Sequence, residues 1–362
     1  MKASRSPLTR RLIRLLSGLA LLVALYLVGV IGLAMVTDYQ PPAQQGLTPE
    51  GQAARPNASD TLTLITWNIG YAGQGAEADF FYDGGQAVRQ PRARVERYLA
   101  NMTQRLRGWQ AETDLFLLQE VDRYSRRSYQ LDQFARLRDS LRGYTGTFAT
   151  NYQVRFIPIP LLEPMGGVWG GLATYSRIAS QGATRYQFEG NYDWPTYLFF
   201  LDRCFLLQRF ALDSSDRQLV VINTHNSAYD DGSLKQRQMA QLREVLLREY
   251  AQGNYVIVGG DWNQFPPDFE GVAGFPVAKT DSNARQFVPT IYPAADWRWA
   301  YDASVPTNRS LAAPYDAQRS RQGVIDFFLV SPNVEVLRVA GIDLDFTSSD
   351  HQPVRLQVAL GR

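Results

Sequence analysis

Tyr255-Val256-Ile257-Val258-Gly259-Gly260-Asp261-Trp262-Asn263-Gln264 is the stretch that decides how this chain folds. Its first four residues are the short apolar run that a buried strand needs. Two glycines follow, and glycine lets a backbone turn sharply or come close to a neighbour. Then come a carboxylate and a carboxamide two positions apart. In an extended segment, side chains at i and i+2 point the same way. Asp261 and Asn263 are therefore expected to face one pocket. Gly, Asp and Asn are also turn formers, so by itself the stretch reads equally as a plain strand-to-loop turn.

Working outward, the same design recurs. Leu62 to Tyr71 has β-branched and alternating character and reads as a strand with Asn68 near its end. Asp114 to Asp122 is an apolar strand closing on Glu120, a charge that is costly there unless paired or metal-bound. Asp122 and Arg123 read as surface residues. Gln218 to Asn223 is a strand running into Asn223-Thr224-His225, and Val324 to Ser331 is a strand with Asp326 near its start. Asp350 and His351 precede a terminal strand, Val354 to Leu360, and Gly170 to Arg177 and Arg203 to Leu212 read as further strands. Between them lie two helices with an apolar face, Arg89 to Trp109 and Leu234 to Tyr250. Phe148 to Pro164, with its three prolines, reads as a long irregular segment. Its Asn151, and Tyr229 in the polar run after His225, are candidates for substrate contact.

The chain has 362 residues, 45% of them hydrophobic, which is enough for one large core or two ordinary domains. It has only two histidines, His225 and His351, and both fall in polar, motif-like segments, which points to chemical use. A single cysteine, Cys204, excludes an intrachain disulfide and a cysteine-rich zinc site; its apolar context reads as a buried thiol.

Charge is unevenly spread. Lys2, Arg5, Arg10, Arg11 and Arg14 come before any acid, and the first acid is Asp38. Without those five, 32 basic residues face 35 acidic ones, so the remainder carries about −3. By charge count the body is not a basic nucleic-acid-binding module. Leu15 to Val36 is a run of 22 residues without a charge, long enough as a helix to span the ~30 Å hydrocarbon core. The basic residues before it predict an N-terminus in the cytoplasm and a body on the extracytoplasmic side. The run exceeds the ~7–15 residues of a signal-peptide core, so a retained single-pass anchor in the cytoplasmic membrane is expected. The expected organisation is a basic N-terminus over residues 1–14, an anchor over 15–36, an extended linker over 37–60 and one catalytic domain over 61–362.

Six pieces now stand in order: Trp67-Asn68, Gln119-Glu120, Asn223-Thr224-His225, Gly260-Asp261-Trp262-Asn263, Ile325-Asp326 and Ser349-Asp350-His351-Gln352-Pro353-Val354. Together they resemble the endonuclease/exonuclease/phosphatase superfamily, whose members share the DNase I-like fold. The resemblance implies an α/β fold, a four-layer α/β/β/α sandwich, here preceded by one transmembrane helix. It implies a metal-dependent phosphoric ester hydrolase. Glu120 would be the principal metal ligand, with Asn68 and Asp350 close to the metal. That metal would be Mg²⁺, with Mn²⁺ or Ca²⁺ as alternatives, and hard oxygen donors suit all three. Asp326 would orient and charge-stabilise His351. Asp261 and Asn263 would position the attacking water and the phosphoryl oxygens, and His225 would donate to a phosphate oxygen or protonate the leaving group. Whether Asp261 or His351 is the base stays open.

The anchor and the acidic balance of the body favour a phosphodiester in a lipid headgroup, or a similar small phosphoester, as substrate. An extracytoplasmic nuclease is the alternative, disfavoured because affinity for a phosphate backbone rests on Lys and Arg. A non-catalytic binding or scaffold module of the same fold is the alternative of another class. The intact acids and both histidines speak against it.

Overall fold

The computed structural model describes residues 6–213, 215–228, 230, 232–272, 274–276 and 287–361. Fourteen strands are numbered along the chain as β1 (Gln44–Leu47), β2 (Glu50–Gly51), β3 (Thr61–Asn68), β4 (Leu115–Asp122), β5 (Thr145–Ile157), β6 (Gly166–Ser176), β7 (Ser180–Gln187), β8 (Cys204–Ala211), β9 (Gln218–His225), β10 (Tyr255–Asp261), β11 (Arg298–Ala300), β12 (Asp326–Val330), β13 (Val334–Gly341) and β14 (Val354–Leu360). They form two seven-stranded sheets, ordered β1-β7-β8-β9-β10-β12-β11 and β13-β14-β3-β4-β6-β5-β2. The α-helices are α1 (Pro7–Val36), α2 (Arg92–Trp109), α3 (Gln133–Ser140) and α4 (Ser233–Ala251).

Period-two alternation sorts the side chains into three cores. Leu62 and Leu64 of β3, Leu115 and Leu117 of β4, and Ile257 of β10 meet between the sheets. The opposite faces, Ile65, Trp67, Phe116 and Leu118, lie under Val95, Leu99, Met102 and Leu106 of α2. Val220, Ile222, Val256 and Val258 lie under Met239, Leu242 and Leu246 of α4. Two mixed sheets packed face to face with helices outside make the α/β/β/α sandwich. Gly260 of β10 lies tight against β9: a Cβ there would lie 2.0 Å from the Thr224 carbonyl oxygen.

α4 is also pinned by charge. Arg209 of β8 donates two hydrogen bonds to the Glu249 carboxylate, both 2.7 Å. Burial alone would raise the Glu249 pKa, but the Arg209 guanidinium and the Asn254 amide outweigh it and hold the carboxyl below its ordinary value. A depressed folded-state pKa gives stability that is present above the unfolded value of ~4.3 and lost as pH falls through the folded one. Glu249→Gln is therefore expected to destabilise by ~1.5–3 kcal/mol at neutral pH, the worth of hydrogen bonds to a charged group. The difference should shrink toward pH 3; urea denaturation of both proteins at the two pH values measures it.

Two sequence expectations need correction. Phe148 to Pro164 is not irregular for most of its length. Its first part belongs to β5, which pairs with β6 from Thr145↔Ser176 to Ile157↔Gly166, and the prolines fall beyond that strand. Asp122 is not a surface residue. It is fully buried and accepts from Arg127 at 2.9 and 3.0 Å and from Ser128 at 2.9 Å. Its partners follow within six residues and satisfy the charge, so burial is tolerated. Arg123 is half-buried, its guanidinium stacked among the rings of Phe134, Phe148 and Trp169. The extended stretch over residues 37–60 makes sheet hydrogen bonds: β1 pairs with β7 and β2 with β5, one in each sheet.

Candidate active site

β3 runs parallel to β4, and β9 runs parallel to β10. The inner faces of these four strands change from apolar to polar at their C-terminal ends. On β3 the series is Leu62, Leu64, Thr66, Asn68; on β9 it is Leu219, Val221, Asn223, His225; on β10 it is Tyr255, Ile257, Gly259, Asp261. One rim of the sandwich thereby collects polar groups from both sheets. β12 begins at the same rim, with Asp326 opposite Asp261 in register. The segment before β14 brings Asp350 and His351 there.

Glu120 reaches this rim by a different route. Simple alternation would put it on the face of Phe116 and Leu118, under the helices. Instead the β4–β6 register shifts between Leu118 and Val121, and Glu120 adopts φ +54°. Such a bulge re-aims a side chain, and a left-handed backbone on a non-glycine residue is a strain that tends to sit at functional sites. Asn151 sits at a second bulge, where the β5–β6 register shifts between Thr150 and Tyr152. Its side chain lines a cavity of about 250 Å³ that also has Glu120, Phe80, Tyr82, Tyr192 and Phe200 on its wall. The Asn151 Nδ2 has no hydrogen-bond partner among the described residues.

The geometry is close-knit. Asn68 Nδ2 donates to Asp261 Oδ2 at 3.0 Å and to Glu120 Oε1 at 3.3 Å. Asp261 Oδ2 is 3.4 Å from His225 Nε2 and 3.8 Å from His351 Nε2. His351 Nδ1 is 2.7 Å from Asp326 Oδ2, and its Nε2 is 3.0 Å from Asn308 Nδ2. Asp350 Oδ2 lies 3.9 Å from His351 Nε2. Gly70 is required beside this group: it has φ +49°, and a Cβ on it would lie 2.9 Å from Asp350 Oδ1.

The two histidines are driven apart in charge. Burial above all, with Arg203 and the His351 charge adding to it, pushes His225 well below its ordinary value. Burial acts the same way on His351, but Asp326, Asp350 and Asp261 outweigh it and hold that ring well above. The surroundings thus favour the charged ring at His351 and the neutral ring at His225. A charged His351 ring requires the Asn308 amide to be turned over, so that Oδ1 rather than Nδ2 meets Nε2–H.

A divalent cation fits the donor set. Glu120, Asp261, Asp326 and Asp350 are four carboxylates gathered at the rim with His351, while Arg309, Arg127 and Arg203 are turned to backbone carbonyls and Asp122. Burial pushes the Asp350 carboxyl up to about 7; His351 opposes that rise and the nearby Glu120 charge adds to it. A site so rich in acids is short of positive charge. Asp261, Asp326 and His351 also lie within 4.8 Å of one another. Both nitrogens of His351 are engaged, however, so that trio is better described as a hydrogen-bonded acid–imidazole pair beside a third carboxylate.

Asn68, Glu120, His225, Asp261, Asp326, Asp350 and His351 thus come together. Asn263 departs from the expected alternation. Its φ is +50°, its N–H caps Asp261 Oδ1 at 2.9 Å, and its Nδ2 donates to the Asn226 carbonyl at 2.9 Å. The chain has already turned there, so the i, i+2 argument does not hold. Tyr229 lies outside the described residues. Sequence reasoning missed Asn308, which no motif marks, and Arg127, whose role beneath the cavity needed the burial of Asp122.

Residues 65–351 match the model of the Endonuclease/Exonuclease/phosphatase family. No curated protein matches the sequence. Similar solved structures include an endonuclease/exonuclease/phosphatase from Beutenbergia cavernae DSM 12333, with TM-score 0.51 and 19% identity over 83% of this chain and 72% of that one. Another, from Bacteroides vulgatus, has TM-score 0.53 and 17% identity over 83% and 99%. ANGEL2, a 2',3'-cyclic phosphatase, has TM-score 0.53 and 14% identity over 88% and 99%. At these identities the likeness is one of fold.

Proposed function

We propose, because this chain belongs to the endonuclease/exonuclease/phosphatase family of phosphoester hydrolases, that it is a membrane-anchored, divalent-metal-dependent phosphodiesterase acting on a lipid headgroup or a similar small phosphoester. α1 is the anchor, a 30-residue helix long and apolar enough to cross a membrane. The basic residues on its N-terminal side orient the N-terminus to the cytoplasm and the catalytic body to the extracytoplasmic side. The observation that carries the substrate reading is the cavity beside Glu120. Its wall combines aromatic rings, among them Phe80, Tyr82, Tyr192 and Phe200, with polar groups such as Asn151 and Arg127, and its volume of about 250 Å³ suits a headgroup.

Glu120, with Asn68 and Asp350, would hold the cation, Mg²⁺ or an ion like it, which when bound neutralises charge building on the phosphoryl oxygens. The chain's own residues do the rest. Asp326 fixes the His351 ring and stabilises its charge. Asp261, facing both imidazoles, accepts the proton of the attacking water. The water oxygen bonds to phosphorus as the bond from phosphorus to the departing alcohol oxygen breaks in line. His351 Nε2, giving up its contact with Asn308, passes its proton to that departing oxygen and is recharged by the proton that Asp261, 3.8 Å away, has taken. Neutral His225 donates one hydrogen bond from Nε2 toward a phosphoryl oxygen, a task that does not require it to be charged. Asn263, held by Asn226, braces Asp261 from the backbone side.

Parallel hydrolysis assays with Mg²⁺, Mn²⁺ and Ca²⁺ on phospholipid and sphingolipid vesicles, plasmid DNA and inositol phosphates test the reading. Metal-dependent release of a lipid headgroup is expected. Rapid plasmid nicking without lipid turnover would establish the nuclease instead, and no turnover of any phosphoester, with poor Mg²⁺ or Mn²⁺ binding, would leave a scaffold.

A further inference from the structure

The last two turns of α1 do not stand clear of the catalytic body. Val30 and Ile31 are half-buried and Ala34 is buried, where the helix packs on β5 and on the turn Thr196–Phe199. Residues 15–29, in contrast, are exposed throughout. At a rise of ~1.5 Å per residue they cover only about 22 Å, short of the ~30 Å hydrocarbon core. Extending the span the other way draws Arg10, Arg11 and Arg14 into hydrocarbon, which is costly. A bilayer around α1 therefore reaches the level at which the body is already packed against the helix.

The protein surface at that level exposes several large apolar side chains, beside one charged residue of the β5–β6 connection, Glu163, which pairs with Arg89 at 3.6 Å. Residues 158–165 join β5 to β6, and their tip carries Ile159, 40% exposed, Leu161, 73% exposed, and Leu162, fully exposed. Trp194, 60% exposed, stands two residues before the turn that receives α1. Hairpin and turn are neighbours. Phe199 and Leu201 pack with Val154, Ile157 and Met165, and the Tyr152 hydroxyl donates to the Phe199 carbonyl at 3.0 Å. Outside α1, eight large hydrophobic side chains are exposed among the described residues. Five of them, these four and Tyr82 against Phe200, lie at this end. A soluble surface seldom gathers such residues in one place without a partner.

We propose that this end of the body is a second membrane contact. Ile159, Leu161 and Leu162, with Trp194 beside them, enter the boundary between headgroups and acyl chains of the phospholipid bilayer that α1 crosses. The proposal rests on α1 being a membrane span. An aromatic ring with a polar N–H and a cluster of branched aliphatics suit that boundary. The contact also sets the site's position. Met165 at the base of the hairpin and Phe200 just past the turn both line the cavity beside Glu120. Its mouth then opens at headgroup level, and a lipid phosphodiester enters without leaving the bilayer.

The test uses the full-length protein in phosphatidylcholine nanodiscs. A single nitrobenzoxadiazole label is placed on Leu162→Cys; the native Cys204 is buried and escapes labelling. The control is Leu337→Cys, an exposed leucine on β13 at the far edge of the same sheet. The label at 162 is expected to emit at shorter wavelength than at 337 and to be quenched by lipid carrying a doxyl group near the headgroup. Equal emission at both positions without quenching overturns the proposal. In a second arm, Leu161→Asp/Leu162→Asp should lower hydrolysis of a vesicle phosphodiester lipid by ~10-fold or more, as loss of interfacial burial predicts. Hydrolysis of soluble bis(p-nitrophenyl) phosphate should stay within about twofold. Equal loss on both substrates, or none on the lipid, overturns it. A wild-type protein that cleaves neither substrate refutes the enzymatic reading alone, and the label then decides the membrane contact.

Discussion

Glu120→Gln, Asp261→Asn and His351→Ala are each expected to lower turnover by at least ~100-fold, as loss of an acid–base or electrostatic group does, while the protein stays folded. The expectation combines activity and stability. Four carboxylates share this rim, and Asp350 is already pushed up to about 7 by burial, with the Glu120 charge adding to the rise. Neutralising Glu120 removes repulsion from the folded state, so its melting temperature in chelator should hold or rise as activity collapses. Opposed changes of this kind mark a site maintained at some cost to stability. Turnover of one phosphodiester, with and without EDTA, and thermal melting of the same three variants provide the measurement. Full activity in any two, or a fall in melting temperature that accounts for the lost activity, would remove the mechanism.

Asp122→Ala is the second large effect, and it acts through folding. Arg127 lies beneath the cavity, its guanidinium 3.7 Å from the Tyr71 ring centroid, and Asp122 balances its charge. Removing one partner of a buried pair strands the other, at a typical ~3–5 kcal/mol. Urea denaturation should show that loss. Replacing both partners, Asp122→Leu with Arg127→Met, should recover much of it, since an apolar pair of similar volume needs no compensating charge. A single-variant loss below ~1 kcal/mol would place the pair with weak surface bridges instead.

Much of the rim was legible because strand ends announce themselves. Leu62, Leu64, Thr66 and Asn68 repeat every second residue, and so do Tyr255, Ile257, Gly259 and Asp261. A reader of alternation therefore reaches both sheets' contributions. Glu120 was found for a reason that the structure changes. Its position after an apolar run suggested a buried charge, yet its arrival at the rim depends on a bulge that periodicity does not predict. The same limit explains Asn263, where the chain leaves β10 sooner than alternation supposed. It explains β5 as well, whose polar residues and following prolines hid a long strand. Asn308 beside His351, and Asp122 beneath the cavity, are matters of tertiary packing. Each needs a partner whose proximity no local pattern encodes.

The chain emerging from α1 contributes β1 to one sheet and β2 to the other before β3 begins. A polypeptide sewn into both halves of the sandwich leaves only residues 37–43 between α1 and the first sheet strand, so with α1 in a bilayer the catalytic mouth stays close to the membrane. On the proposed lipid-headgroup reading, such an enzyme receives its substrate by lateral diffusion. Its rate should follow the mole fraction of substrate in the membrane plane rather than the concentration in the surrounding water.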